Sequence, residues 1–215
     1  MKVLLYGATG VIGSRVATEL LGRGHFVTAA VRDAARAEGL DPRVGSVVSD
    51  VTDPSSIASA AAGHDVVISA VGPGYDGSAP ASFLSDATRA LVKGLQSVAT
   101  PPGLVLVGGA GSLEVAPGLD LVDTPDFPAL WKPTALSHRD GLHYLRTVTD
   151  LDWTYFSPAA LIEPGERTGT FRLGGDQLLT DAQGVSRISA EDFAIALVDA
   201  AESGQPVRQR VTVAY

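Results

Sequence analysis

Three glycines near the start of the chain are spaced in a way that suits the binding of a phosphate group. Gly7, Gly10 and Gly13 follow a short apolar run at residues 3–6 and lead into a helical pattern near residues 11–22. A strand that turns through glycines into a helix presents backbone N–H groups at a helix N-terminus, where the helix dipole favours an anion. We therefore expect a pyrophosphate here, and with it a dinucleotide.

Each glycine has an expected role in that turn. Gly7 allows the tight turn, Gly10 lets the pyrophosphate approach the backbone, and Gly13 lets the helix pack closely on the strand.

Arg32 and Asp33 follow the second apolar run, about twenty residues after the glycines, where the adenosine ribose lies in such folds. An arginine at this place suits a 2′-phosphate, because its guanidinium is a charged, bidentate donor. We predict that Arg32 selects NADP(H) over NAD(H), with Arg15 and Arg36 adding positive charge. If the strand extends one residue further, Asp33 becomes the ribose acceptor. A further alternative is that Arg32 is a solvated loop residue.

Two later strand ends complete the expected cofactor site. Asp50 and Val51 end the third strand, where a carboxylate reaches an adenine amino group and backbone clamps the ring. Small residues end the fourth strand and leave room for a ribose and nicotinamide: Ala70, Val71 and Gly72.

Apolar runs alternate with helical patterns along the chain, which indicates an α/β protein with a doubly wound parallel sheet of the Rossmann type. We expect one domain over residues 1–215, with a small C-terminal substrate lobe mainly from 158–187. The expected strands are 3–6, 26–31, 46–49, 66–70, 104–107, 154–156 and 207–213, and the expected helices are 11–22, 54–62, 80–98, 134–149 and 190–202. Asp53 and Ser189 are expected to cap two of these helices.

Two long segments, 108–133 and 158–187, leave the carboxyl ends of strands. They are either plain surface insertions or the cover of a ligand site. Trp131 and Tyr75 lie in loops after strands, where each lines an aromatic pocket or anchors its loop.

Composition excludes several classes of protein. The net charge of −8 and the dispersed basic residues argue against a nucleic-acid surface. The chain has no cysteine, which excludes thiolate metal sites, disulfides and cysteine nucleophiles. No apolar run is long enough to span a membrane. We expect a cytoplasmic monomer or homodimer that binds a small-molecule substrate.

The chain resembles the atypical short-chain dehydrogenases that bind NAD(P)H, with NmrA-like proteins and the biliverdin-reductase-B or flavin-reductase type as relatives. The matching segments are GATGVIG from Gly7, VRD from Val31, DVTD from Asp50, SAVG from Ser69 and LDWTYFSPA from Leu151. The resemblance implies pyrophosphate contacts at residues 9–12, including Thr9, Val11 and Ile12. It also implies that Arg32 contacts the 2′-phosphate and that Ser157, Pro158 and Ala159 flank the nicotinamide.

The chain departs from that family at its catalytic positions. Typical members carry a serine followed by Tyr-x-x-x-Lys, in which the tyrosine donates the proton. The corresponding residues here are Gly109, with Ser112 three residues later, and the pair Thr134 and His138. The standard proton-donating triad is therefore absent.

His138 is the candidate catalytic residue, with Thr134 beside it. Helical spacing places both on one face with Leu142 and Leu145, and that face packs inward. His138 then donates a proton near neutral pH, holds a ribose hydroxyl, or is a partly buried structural histidine. His143 lies too far around the helix to bind a metal ion together with His138. His25 and His64 are isolated in the sequence. We therefore expect no metal site.

Three functions remain open. The favoured one is reduction of a small planar substrate by NADPH, such as a quinone, flavin or carbonyl compound. The alternatives are a non-enzymatic NADP(H) sensor of the NmrA type and an epimerase or dehydratase.

Overall fold

The computed structural model describes residues 1–74 and 79–215, which form one large sheet with helices on both faces. The helices are α1 (Val11–Gly22), α2 (Pro54–Ala61), α3 (Phe83–Gln96), α4 (Lys132–Leu145) and α5 (Ala190–Ser203), with short 3₁₀ helices at Ala34–Ala37 and Leu121–Asp123. The strands are β1 (Lys2–Tyr6), β2 (Phe26–Val31), β3 (Gly45–Val48), β4 (Val66–Ser69), β5 (Gly103–Val107), β6 (Glu114–Ala116), β7 (Leu119–Asp120), β8 (Trp153–Ser157), β9 (Leu161–Glu163), β10 (Arg172–Gly174), β11 (Arg187–Ser189) and β12 (Gln209–Ala214).

The main sheet has the strand order β10-β12-β8-β5-β4-β1-β2-β3. Its neighbouring strands are parallel except for β10, which is antiparallel to β12. The order reverses between β1 and β4, and ligands of such sheets bind outside the carboxyl ends of the strands at this point. The predicted α/β class and Rossmann-type sheet are confirmed.

Strand β1 is the centre of the core. Val3 and Leu5 pack with the side chains of α1 and α5, whereas Leu4 and Tyr6 pack with those of α2, α3 and α4. All four are at most 1% exposed, and burying one aliphatic side chain stabilises a fold by about 1.5–3 kcal/mol. This two-sided packing fixes the carboxyl end of β1, from which the glycine turn leaves.

Two predicted helix caps are confirmed. The Asp53 carboxylate accepts from the Ser55 N–H at 2.9 Å, and the Ser189 hydroxyl accepts from the Asp192 N–H at 3.0 Å. Such caps satisfy N–H groups that have no partner inside the helix.

Several predicted boundaries were displaced. Helix α4 starts two residues earlier than expected and ends at Leu145, because Thr147 and Val148 donate to carbonyls only three residues back. Helix α3 is three residues shorter at its start and two at its end. The last strand begins at Gln209 rather than 207.

The two long segments contain short strands that sequence patterns did not reveal. The first holds the β6–β7 pair, and the second holds β9, β10 and β11. Strands of two or three residues are too short to display an alternating pattern. Within the described residues, the structure has no helix of the length and apolarity needed to cross a membrane.

Candidate functional site

The glycine turn forms where β1, β4 and α1 meet. Gly7 has a φ of +80°, and a Cβ atom there would lie 2.4 Å from the Ala70 carbonyl oxygen. A Cβ atom on Gly13 would lie 2.0 Å from the Gly7 carbonyl oxygen. Both positions therefore require glycine, the first for its backbone conformation and closeness to β4 and the second for close packing of α1.

The N-terminus of α1 is open to a ligand. Its N-cap, Gly10, makes no side-chain capping bond, and the first turn contains no acidic residue that would offset the helix dipole. A Cβ atom on Gly10 would meet only the Gly7 carbonyl oxygen, at 3.3 Å, so the other side of Gly10 is open. This geometry suits a phosphate group.

A cavity of about 840 Å³ lies over this turn, at the carboxyl ends of β1, β2, β4 and β5. It brings together most of the predicted cofactor residues: Gly7, Thr9, Gly10, Val11, Ile12, Arg32, Val51, Ala70, Val71 and Gly72. The remaining predicted cofactor residues do not line it: Gly13, Asp50, Ser157, Pro158 and Ala159.

Two arginines lie at the β2 end of the cavity. Arg32 and Arg36 line it with exposed side chains, and neither makes an ion pair with any residue in the described ranges. Strand β2 ends at Val31, so the longer register considered for Asp33 does not occur. The Asp33 carboxylate instead accepts from the Ala35 N–H at 3.0 Å and caps the first 3₁₀ helix.

Arg15 does not contribute positive charge to this cavity, contrary to expectation. Its Nε donates to Glu191 at 2.7 Å and its Nη1 donates to the Val11 carbonyl at 2.8 Å. The guanidinium is therefore used in joining α1 to α5.

The residues that the carboxyl end of β3 contributes to the cavity differ in part from those that the sequence predicted. Asp50 is exposed, and its carboxylate accepts from the Thr52 N–H and hydroxyl at 2.9 and 2.8 Å. The cavity wall here consists instead of Val51 with Ser49 and Tyr6, whose hydroxyls are 2.8 Å apart. Burial raises the pKa of Tyr6 to about 12, so its phenol stays protonated.

Sequence reasoning missed Tyr6 and Ser49 because both lie within or beside apolar strands and look like core residues.

The opposite end of the cavity is formed by α4. Thr134 and His138 both line it, together with Trp131, which is 52% exposed. Burial lowers the pKa of His138 to about 4. The imidazole is therefore neutral at pH 7, and the expectation of a proton donor that titrates near neutral pH is not supported. A neutral imidazole still offers one N–H donor.

Gly109 supports this histidine. A Cβ atom on Gly109 would lie 3.0 Å from the His138 Cδ2 atom, so the absence of a side chain makes room for the ring. The Gly109 carbonyl in turn accepts from the Ser157 hydroxyl at 3.1 Å, and Ser157 is fully buried. Ser157 therefore anchors the loop that contains Gly109, against which the His138 ring packs. Pro158 and Ala159 are also buried.

Ser112 does not take the place of the missing catalytic serine. It is buried, and its hydroxyl accepts from Arg210 Nη1 at 2.9 Å. The expected substrate lobe, 158–187, contributes no lining residue to the described cavity, since its strands pair with one another or with β12.

Two of the other histidines, His25 and His64, have contacts of a structural kind. His25 Nε2 lies 2.7 Å from a Glu202 carboxylate oxygen, and His64 Nε2 lies 3.2 Å from the Thr28 hydroxyl. Among residues 1–74 and 79–215, no three His, Asp or Glu side chains are arranged to hold a metal ion. Tyr75, the other aromatic candidate for the pocket, lies outside the described residues.

Comparisons with known proteins agree with this site. A family model described as NAD(P)H-binding matches residues 7–202. A solved structure from Burkholderia pseudomallei, described provisionally as an exported protein, is 52% identical, covers all of both chains and superposes with a TM-score of 0.90.

Two further solved structures carry provisional enzyme descriptions. One from Bacteroides thetaiotaomicron, described as an epimerase, is 35% identical over 100% of this chain and 96% of its own, with a TM-score of 0.88. One from Streptococcus pneumoniae, described as an NADH-flavin reductase, is 34% identical over 100% and 99% of the two chains, with a TM-score of 0.86.

Proposed function

Because the chain belongs to the NAD(P)H-binding family, we propose that it is an NADPH-dependent oxidoreductase that reduces a small planar acceptor, such as a quinone, flavin or carbonyl compound. The observation that carries the proposal is the continuity of one cavity. It runs from the arginines past the bare α1 N-terminus to Trp131, Thr134 and His138. An extended dinucleotide needs charge at one end, an anion site in the middle and an enclosed reactive end.

The preference for NADPH rests on Arg32 and Arg36. A 2′-phosphate is anionic, and both guanidinium groups border the cavity without a carboxylate partner in the described parts of the chain. Asp33, the residue that would favour NADH, is occupied as a helix cap. An ion contact of about 4 Å at an effective dielectric of 20 is worth roughly 4 kcal/mol before desolvation costs.

The residues near α4 suit an acceptor that needs little acid catalysis. When bound, NADPH supplies a hydride, and a reduced quinone completes its hydroquinone with a proton from water. Thr134 and neutral His138 offer hydrogen-bond donors to an acceptor oxygen, and the cavity walls position it. Interconversion of alcohols and carbonyl compounds depends more strongly on a proton donor. The Tyr-x-x-x-Lys motif supplies that donor in the family, and this chain lacks the motif.

An epimerase is the second candidate, favoured by the 35% identical neighbour with that provisional description. Thr134 and His138 in place of tyrosine and lysine argue against it, because neither matches the proton-transferring pair.

The test is NADPH oxidation, followed by absorbance, with a panel of quinones, flavins and small aldehydes. We expect oxidation well above the protein-free rate with at least one acceptor. If none reacts, and NADP⁺ and NADPH produce different protease-cleavage patterns within 108–133, a redox sensor of the NmrA type replaces the enzyme.

We propose the cytoplasm as the compartment, because the cell regenerates NADPH there. Since one neighbour is described provisionally as exported, cell fractionation is the direct test.

A further inference from the structure

A second cavity of about 290 Å³ adjoins the main one beside α4. We call it the annex. Phe83, Trp131 and Thr134 line both cavities, so the annex opens directly beside the proposed reactive end. Ala81, Leu84 and Leu130 belong to the annex alone.

The annex differs from the main cavity in its charge. Among the described residues that line it, none is charged, and two have side chains that can form hydrogen bonds, Thr134 and Trp131. The two cavity arginines, Arg32 and Arg36, line the main cavity and not the annex. Lys132 follows Trp131 in sequence but is exposed and does not belong to the lining.

We propose that the annex binds the ring of the acceptor and that this acceptor is an uncharged one- or two-ring compound. The inference rests on the proposed function and narrows its substrate class. The annex volume is about ten times the ~30 Å³ share of one water molecule, which suits an occupant of that size. An anionic flavin nucleotide is disfavoured, because its phosphate meets no cation in the described lining.

Burial in the annex explains both why an uncharged ring is favoured and why an anion is disfavoured. A carboxylate or phosphate that leaves water without a partner loses hydration that an apolar wall does not replace. An uncharged ring instead covers apolar surface that is now open to water, since Leu130 is 78% and Trp131 52% exposed. Trp131 can also stack on or edge against an aromatic occupant.

A matched pair of redox-inert probes tests the proposal without turnover. 2-Naphthol is neutral at pH 7, whereas 2-naphthoate carries one negative charge on the same ring system. Calorimetric titration of each into the protein, with and without NADP⁺, should show 2-naphthol binding about tenfold tighter or more. Equal affinity of the two probes, or tighter binding of 2-naphthoate, would overturn the proposal.

Two variants test whether the probes bind in the annex. Leu130→Arg places a cation at the annex rim and should tighten 2-naphthoate about tenfold while leaving 2-naphthol nearly unchanged. Trp131→Ala should weaken 2-naphthol several-fold, whereas the control Leu161→Ala, exposed and outside the lining, should not. Unchanged affinities in both annex variants would place the probes elsewhere and overturn the inference.

These experiments distinguish a failure of the annex proposal from a failure of the proposed function. Selective naphthol binding without any NADPH oxidation leaves the annex as a ligand site and rejects the reductase. NADPH oxidation with equal probe binding keeps the reductase and rejects the annex.

Discussion

The imidazole of His138 packs against Gly109, where a methyl group would lie 3.0 Å from the ring carbon Cδ2. In the correspondence expected from the sequence, typical short-chain dehydrogenases carry at these two positions the serine and lysine of the proton-transfer machinery. In this chain the first position holds a glycine and the second a histidine. The two residue types are therefore linked by packing, because the ring of His138 occupies space that a side chain at position 109 would need.

Gly109→Ser should destabilise the protein by about 1–3 kcal/mol, the usual cost of overpacking a well-filled site. In a His138→Ala background most of that cost should disappear, because the ring no longer occupies the space. Urea unfolding of the four proteins of this cycle measures the coupling. Gly103→Ser is the control, since a Cβ atom there meets nothing within 4 Å. Additive effects would show that the contact does not link the two residues.

His138 should make stability fall with acid in a defined pH window. Burial lowers its folded-state pKa to about 4 from an ordinary value of 6.5, so the unfolded chain binds the proton more readily. Stability relative to His138→Gln should therefore decline as the pH falls from about 6.5 to 4 and level off below that. The measurement is the difference in unfolding free energy between the two proteins across this range. A difference that stays constant, or an NMR titration midpoint near 6.5, contradicts the prediction.

Arg32→Ala should weaken NADPH binding about tenfold and leave NADH binding almost unchanged, because only NADPH carries the 2′-phosphate. Fluorescence titration of both cofactors measures this. Arg43→Ala is the control, since that guanidinium is exposed and pairs with Asp41 at 2.7 Å. Equal affinity of the wild-type protein for NADPH and NADH would refute the assignment.

Asp33→Ala should cost up to about 1 kcal/mol of stability, as loss of a helix cap does, and leave NADH affinity unchanged. Asp53→Ala, which removes the cap of α2, gives the comparison. A selective loss of NADH affinity in Asp33→Ala would instead identify that carboxylate as a ribose acceptor.

The sequence was sufficient for the parallel strands of the main sheet, the glycine turn and the two ends of the cavity, but not for the antiparallel edge strand β10. These features depend on local patterns: apolar strands, a glycine spacing and residues at strand ends. Thr134 and His138 were placed on one helical face by their spacing alone, and the structure brings both to the cavity.

Contacts between distant parts of the chain could not be predicted in this way. Arg15 is directed to Glu191, 176 residues away, and Ser112 is held by Arg210 from the last strand. The annex likewise depends on the packing of the start of α3 against the residues before α4. A single sequence contains no local pattern that predicts such long-range contacts.

NADPH oxidation by wild type and Gly10→Val, with 2-methyl-1,4-naphthoquinone as acceptor, tests directly whether the glycine turn holds the cofactor of a reductase. The backbone of Gly10 is extended, with φ −81° and ψ 171°, so valine can adopt it while its side chain blocks the approach of a pyrophosphate. Gly22→Val, at the other end of α1 and free of neighbours within 4 Å, is the matched control. Circular dichroism melting confirms that each variant is folded.

Wild type and Gly22→Val should show rapid loss of NADPH absorbance, and folded Gly10→Val should show a rate reduced at least about tenfold. Equal rates in wild type and Gly10→Val, or no rate above the protein-free background in any of the three, would contradict this prediction.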